Sequence, residues 1–292
     1  MRIAPLSDLR CELGESPVWH ETQQRLYWCD VHACTIHALD VASGEAQVWR
    51  FPSSVGSFGL ARSGRLVVAL RDAVVLFDPC SGTSTPIARF DFTVPGMRLN
   101  DGKVGPDGAF WIGSVHEVAF EKMQHIAALF RVSGDGSVST HVTGLKASNG
   151  LAWSADGRTM FHSDSCGPWI DRWRFDPARG AMADRVRIAE PTENSGRPDG
   201  GAVDREGAYW SAGTSAGVLN RYGRDGAVLQ TIALPLPKPT MPCFGGPDMR
   251  TLFVTSRRDM LTDEQRTAFP LSGAVLRLEV EVPGVPAFRF AD

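Results

Sequence analysis

Four short stretches of this chain set an oxygen donor beside a glycine or a small residue at the head of an apolar run. They are Gly14-Glu15-Ser16-Pro17-Val18-Trp19, Leu99-Asn100-Asp101-Gly102, Ser148-Asn149-Gly150-Leu151 and Pro198-Asp199-Gly200-Gly201. Taken singly, an Asn or Asp next to Gly is an ordinary turn residue, and Glu15 an ordinary loop acid. Brought together, two carboxylates and two amide oxygens form a hard, oxygen-only donor set. Such a set suits calcium, magnesium or manganese and also accommodates zinc or ferrous iron. Arg98 shares a strand face with Asn100, because side chains two apart in a strand point the same way.

The elements that would bring these residues together are written as a repeat. An aromatic or branched strand recurs as Leu26-Tyr27-Trp28, Leu66-Val67-Val68, Phe110-Trp111-Ile112, Met160-Phe161, Tyr209-Trp210 and Leu252-Phe253-Val254. Each copy is preceded by a first strand that starts at a polar or small residue, and each is followed by a second hairpin such as Ile36-His37-Ala38-Leu39-Asp40 or Leu219-Asn220-Arg221-Tyr222. Four strands per unit, six units and a period of roughly 40 to 50 residues predict a six-bladed β-propeller, since one four-stranded sheet cannot bury both faces alone but a ring of them can. The whole of residues 1–292 reads as one such all-β domain. In a propeller the first strand of every blade lines the central channel, so Glu15, Asn100, Asn149 and Asp199 are expected to face one volume.

Composition excludes several classes. The formal charge is −3, with Lys and Arg scattered along the chain, so there is no basic stripe for nucleic acid. The first residues lack the apolar run of a signal peptide, and no apolar segment is long enough for a membrane helix. Six dispersed cysteines do not form a disulfide framework, which agrees with a reducing, cytoplasmic setting.

Other candidate chemistries fall away on spacing. Cys29, His32, Cys34 and His37 tempt a zinc reading, but they span two predicted strands and do not match paired-ligand spacings. Ser57 lies at the channel register without a G-x-S-x-G elbow. Gly134-Asp135-Gly136 is a hairpin turn lacking the acidic ladder of a calcium loop. Cys243 is expected at the channel register of blade six as a small packing thiol. Asp204 is read as a tolerant turn residue at the far end of the Asp199 strand. The segment from Ser114 to His125 is longer than a hairpin needs and is expected to rim the channel mouth.

The blocks around Glu15, Asn100, Asn149 and Asp199, together with Cys243-Phe244-Gly245-Gly246 and Arg257-Arg258-Asp259-Met260, give the chain a clear likeness. It resembles the senescence marker protein, gluconolactonase and regucalcin family of six-bladed propellers, in the family's order and over nearly the full length. That resemblance implies a lactonase that opens a sugar lactone to the aldonic acid with one divalent metal. It implies Glu15, Asn149 and Asp199 as metal ligands, Asp199 also as base, and Arg98 and Asn100 as contacts to the sugar. Where relatives often carry a Met followed by an acidic residue, this chain reads Ser114-Val115-His116-Glu117, so contacts from that loop are not carried over. The rival readings are an arylesterase-type hydrolase of the same fold, which would want a more apolar mouth, and a calcium-binding regulatory propeller without turnover.

Overall fold

The computed structural model describes residues 2–292 and shows six four-stranded antiparallel sheets arranged as a ring of blades. The innermost strands are Gly14–His20, Ser57–Leu60, Met97–Val104, Ser148–Trp153, Pro198–Val203 and Pro239–Gly245. The second strands, Arg25–Asp30, Leu66–Ala69, Phe110–His116, Thr159–Asp164, Tyr209–Gly213 and Thr251–Ser256, are the aromatic and branched repeats of the sequence. Their side chains explain the repetition, because each blade buries its faces against the next. Phe161 stacks on Tyr209 across one seam at 4.8 Å, Trp210 meets Phe244 edge-on at 5.9 Å across the following one, and Trp19 stacks on Phe253 at 5.6 Å where blade six meets blade one. Apolar clusters lie between consecutive blades all round the ring.

Outermost strands such as Val138–Leu145 and Ala181–Ala189 are largely exposed and carry charged or hydroxyl residues, which discourages pairing with another sheet edge. Blade six differs in origin. Its fourth strand is not part of the sixth repeat but the N-terminal pair Ala4–Pro5, hydrogen-bonded to Leu276–Glu279. The ring is therefore shut by joining the first residues to the last repeat.

Five of the six inner strands carry the same irregularity. The pairing register slips between Glu15 and Val18, Leu99 and Gly102, Asn149 and Ala152, Pro198 and Gly201, and Pro239 and Pro242, whereas Ser57–Leu60 pairs without a break. These are β-bulges, which insert a residue and re-aim the side chains beside it. Ser16 and Gly150, each just after a channel-facing donor, take φ values of +48° and +68°. A side chain at Gly150 would also collide with the Tyr209 hydroxyl, leaving only glycine for that bulge. By the same register blade six presents Thr240 at the level of Asp199. Cys243 lies three residues deeper and is not the counterpart expected from sequence, where the bulge is invisible.

The inner strands run away from the bulges towards tight turns at the other end of the channel, and the C-terminal tail crosses that end. It bonds to Val203 and Pro283 approaches Arg205 in blade five; further on it bonds to Leu60 in blade two and Gly108 in blade three, with Phe290 fully buried and Asp292 paired to Arg65 at 2.8 Å.

Asp204 departs from its expected role as a tolerant turn residue. Its carboxylate is fully buried, accepting hydrogen bonds from Trp210 Nε1 at 3.0 Å and Arg221 Nε at 2.8 Å as well as from the Glu206 and Ala208 amides. Asp107 does the same for Trp111 and Arg131 in blade three. The Asp fixes its turn to the second and third strands at once. Asp204→Ala strands the buried Trp210 indole N–H and the Glu206 and Ala208 amides and leaves the half-buried Arg221 with Glu206 alone, and should cost about 2 to 4 kcal/mol of stability. Urea unfolding of the variant against wild type measures this.

Candidate active site

At the channel end where the inner strands begin lies a cavity of about 410 Å³. Glu15, Arg98, Asn100, Asn149 and Asp199 all line it, so the five residues expected to contact metal or sugar share one volume, whereas Ser57 and Cys243 do not line it. The loop after the second strand of blade three, with its short helical turn Phe120–Lys122, contributes Val118, Ala119, Phe120 and Met123 to the rim, as its length suggested.

Asn149 is held by its neighbours. Its Nδ2 donates to Ser165 Oγ at 2.7 Å, which turns Oδ1 towards the cavity, where Asn100 Nδ2 approaches at 3.4 Å. Asn100 is pinned at both ends, accepting from Arg98 Nη1 at 2.8 Å and donating to the Ser148 carbonyl at 3.0 Å. Arg98 itself is buried, with Nε on Glu117 Oε1 at 2.8 Å and Nη1 also on the Leu99 carbonyl. Glu117, whose contacts could not be carried over by resemblance, thus neutralises Arg98 at the rim.

The two carboxylates lie in an environment that resists their charge. Burial pushes the Glu15 carboxyl well above its ordinary range, with Asp199 and Asp101 adding to the rise. Burial likewise lifts Asp199 to about 7 against the pull of Arg257, with Asp101 raising it further. Arg257 faces both acids and pulls Asp199 down by more than Asp101 raises it, while its guanidinium also pairs with Asp259 through two bonds of 2.7 and 2.6 Å. Acids that raise one another's pKa in a buried site are those a cation would relieve. Among the described residues no three His, Cys, Asp or Glu side chains form a metal group, because the third donor here is an amide. Two carboxylates with a pinned amide oxygen fit a hard divalent ion, and Glu15, Asn149 and Asp199 are the residues that would hold one.

Several residues left in reserve by the sequence have structural duties. Asp101 is buried beneath the cavity, raised to about 6 chiefly by burial, and its Oδ2 accepts the Gly150 amide at 2.9 Å, fixing the bulge that carries Asn149. Ser57 donates to the Asn100 carbonyl at 2.7 Å. Cys29 is buried in its sheet, His37 stacks on Trp28 and His32 bonds Asp259, so the cysteines and histidines of that segment scatter. Arg197 and Lys238 also line the cavity and were not singled out from sequence, although each stands two residues before the donor level of its blade, as Arg98 does.

The class is thus a six-bladed propeller with an oxygen-donor cluster at one mouth of its channel. The family model for the SMP-30/Gluconolactonase/LRE-like region matches residues 13–258, and the chain belongs to this family. It is 37% identical to a 6-deoxy-6-sulfogluconolactonase of Pseudomonas putida over 96% of this chain and 95% of that protein. It is 30% identical to the pentonolactonase XacC of Haloferax volcanii, covering 99% and 98%. Among solved structures, a calcium-binding protein, regucalcin, from Agrobacterium tumefaciens superposes with a TM-score of 0.90 at 28% identity, covering 98% of this chain and 96% of that one.

The support beneath the cavity is testable through His162. The imidazole is fully buried, its Nε2 shares a 2.8 Å hydrogen bond with Ser148 Oγ, and burial lowers its pKa to about 3. In the unfolded chain it takes up a proton below about 6.5, whereas the folded protein keeps it neutral until about 3, so stability is lost as pH falls through that window. Between pH 7 and pH 5 this amounts to about 2 kcal/mol. Denaturant titrations at the two pH values should show a fall that much smaller in His162→Gln than in wild type.

Proposed function

We propose that this protein is a metal-dependent lactonase that hydrolyses a sugar lactone to the aldonic acid. The observation that carries the reading is the convergence of two charge-resisting carboxylates and one pinned amide oxygen on a cavity walled by Arg98 and Asn100. The relatives named for sulfogluconolactone and pentonolactone hydrolysis support it. Glu15, Asn149 and Asp199 hold one divalent ion, drawn from calcium, zinc, magnesium, manganese or ferrous iron. When bound, that ion supplies Lewis acidity to the lactone carbonyl.

The rest is the work of the chain's own side chains. Arg98, oriented by Glu117 and by the Asn100 amide, presents its remaining N–H groups to the sugar hydroxyls, and Asn100 sets the distance between sugar and donors. Asp199, ionised, takes the proton from the attacking water on a carboxylate oxygen and returns it to the leaving alkoxide as the ring opens. Six unpaired cysteines suit a cytoplasmic setting, and no described helix is long and apolar enough to cross a membrane.

Arg98, Asn100 and Glu117 beside the donors favour a hydroxylated substrate, while the apolar rim of Val118, Phe120 and Met123 is the feature an arylesterase would use. A calcium-binding propeller without turnover is the second reading, supported by the name of the Agrobacterium neighbour. Metal-stripped protein should keep its β-sheet circular dichroism but lose lactone hydrolysis, and single metals added back should restore it. Cation binding with hydrolysis at the uncatalysed rate would favour the second reading.

Asp199→Asn keeps an oxygen for the metal but cannot accept the proton. It should lose about 10²- to 10⁴-fold in kcat, roughly 3 to 5 kcal/mol of barrier, at saturating metal. Turnover within a few-fold of wild type would remove Asp199 from the role of base. Arg98→Ala should lower kcat/KM by about tenfold or more while metal affinity stays within a few-fold, as isothermal titration would show.

A further inference from the structure

Two residues upstream of the donor level, strand alternation returns side chains to the channel side, about 6.6 Å nearer the mouth. The five bulged blades place Leu13, Arg98, Ala147, Arg197 and Lys238 there, and all five line the cavity. This upper ring is uneven. On the blade-one and blade-four sides it carries short or apolar side chains, and on the blade-three side Arg98 is already neutralised by Glu117. Blades five and six, which are neighbours, contribute Arg197 and Lys238 side by side.

These two cations are poorly compensated. Arg197 meets only Glu193 at 3.0 Å, and the Glu193 carboxylate is 67% exposed, so water screens much of that pair. Arg197 Nε is buried with no hydrogen-bond partner of good geometry, and its guanidinium lies 5.3 Å over the Phe120 ring of the rim. Lys238 makes no ion pair among the described residues, and burial lowers its pKa, with Arg197 and then Arg257 adding and the exposed Glu193 opposing. An ion held by Glu15 and Asp199 would balance their two charges and leave Arg197 and Lys238 as the uncancelled charge of the cavity.

We propose that Arg197 and Lys238 form a subsite for an anionic tetrahedral group, a phosphate or a sulfonate, at the end of the sugar remote from the lactone carbonyl. The inference rests on the lactonase reading and narrows its substrate class. Arg197 and Lys238 stand nearer the mouth than the donor level, on the side towards which the end of the sugar remote from a carbonyl held at the donors would extend. Arg contributes a fork of N–H donors and Lys a mobile point charge, a pairing suited to a tetrahedral oxyanion.

The test compares δ-gluconolactone with its 6-phospho and 6-deoxy-6-sulfo analogues on metal-loaded enzyme. The anionic substrates should have kcat/KM at least tenfold higher, with most of the gain in KM, and the advantage should shrink as salt is raised. In Arg197→Gln/Lys238→Met the anionic-to-neutral ratio should collapse at least tenfold, while Arg197→Lys/Lys238→Arg should hold it within about threefold. The arm with the greater preference tells phosphate from sulfonate. Calorimetric titration of 6-phosphogluconate against gluconate reads the same subsite without turnover. Tighter binding of the phosphorylated acid, lost in the Gln/Met variant, supports the proposal; equal binding, or a preference indifferent to the double substitution, overturns it. Brisk hydrolysis of the neutral lactone with no anionic preference would overturn the subsite alone, whereas failure to hydrolyse any lactone would overturn the lactonase reading, with the titration still deciding the subsite.

Discussion

The site depends on a belt of hydrogen bonds that ties one blade to the next at the level of the bulges. Ser57 donates to the Asn100 carbonyl, Asn100 to the Ser148 carbonyl, Tyr209 to the Gly150 carbonyl and Thr240 to the Gly14 carbonyl, while Asp101 accepts from the Gly150 amide. Each tie joins a residue of one inner strand or its neighbour to the backbone of the adjacent blade. A bulge frees backbone groups from its own ladder, and the next blade satisfies them, as buried amides and carbonyls require. The donors on blades three to five are thus spaced by a continuous run of ties, and Glu15 in blade one is tied to blade six.

That rigidity is what permits the concentration of charge. In the buried channel Asp199 and Asp101 raise the pKa of Glu15, and Asp101 that of Asp199, on top of the burial that lifts all three, an arrangement that works against folding in the absence of a cation. Lys103 relieves part of it, its ammonium buried and bonded to the Gly201 carbonyl across the channel at 2.7 Å. The stability to hold the carboxylates together comes from elsewhere: the aromatic seams between blades, and the Asp107 and Asp204 anchors at the far turns. A ligand that binds the folded ring alone adds to that stability by mass action.

Much of this was legible in the sequence because the second strands repeat their aromatic and branched residues, and because Glu15, Asn100, Asn149 and Asp199 each open an inner strand beside a glycine or small residue. Position within a strand was less legible. A one-residue bulge leaves no compositional mark, so Cys243 stood in for Thr240 at the register of blade six. Burial of a turn acid depends on an indole on the next strand and a guanidinium on the one after, so Asp204 read as tolerant. Ala4–Pro5 is too short to register as a strand, and its partner is distant in the chain. Arg197 and Lys238 did carry a signal, the same two-residue offset that separates Arg98 from Asn100, but it acquires meaning only once the bulges have set the level.

The closure of the ring by Ala4–Pro5 imposes an order of events on a chain made from its N-terminus. Ala4–Pro5 emerges from the ribosome long before its sheet partner Leu276–Glu279, so blade six cannot be completed, nor the ring shut, until that strand has been made. Blades one to five can assemble progressively through local hairpins and neighbouring seams, but until the end the nascent arc exposes the apolar faces of Trp19 and Leu26 on one side. The tail that seals the far end of the channel arrives later still. A pause, truncation or obstruction near the C-terminus therefore leaves an open arc with a sticky edge, and a chaperone that shields blade one would act over nearly the whole period of translation.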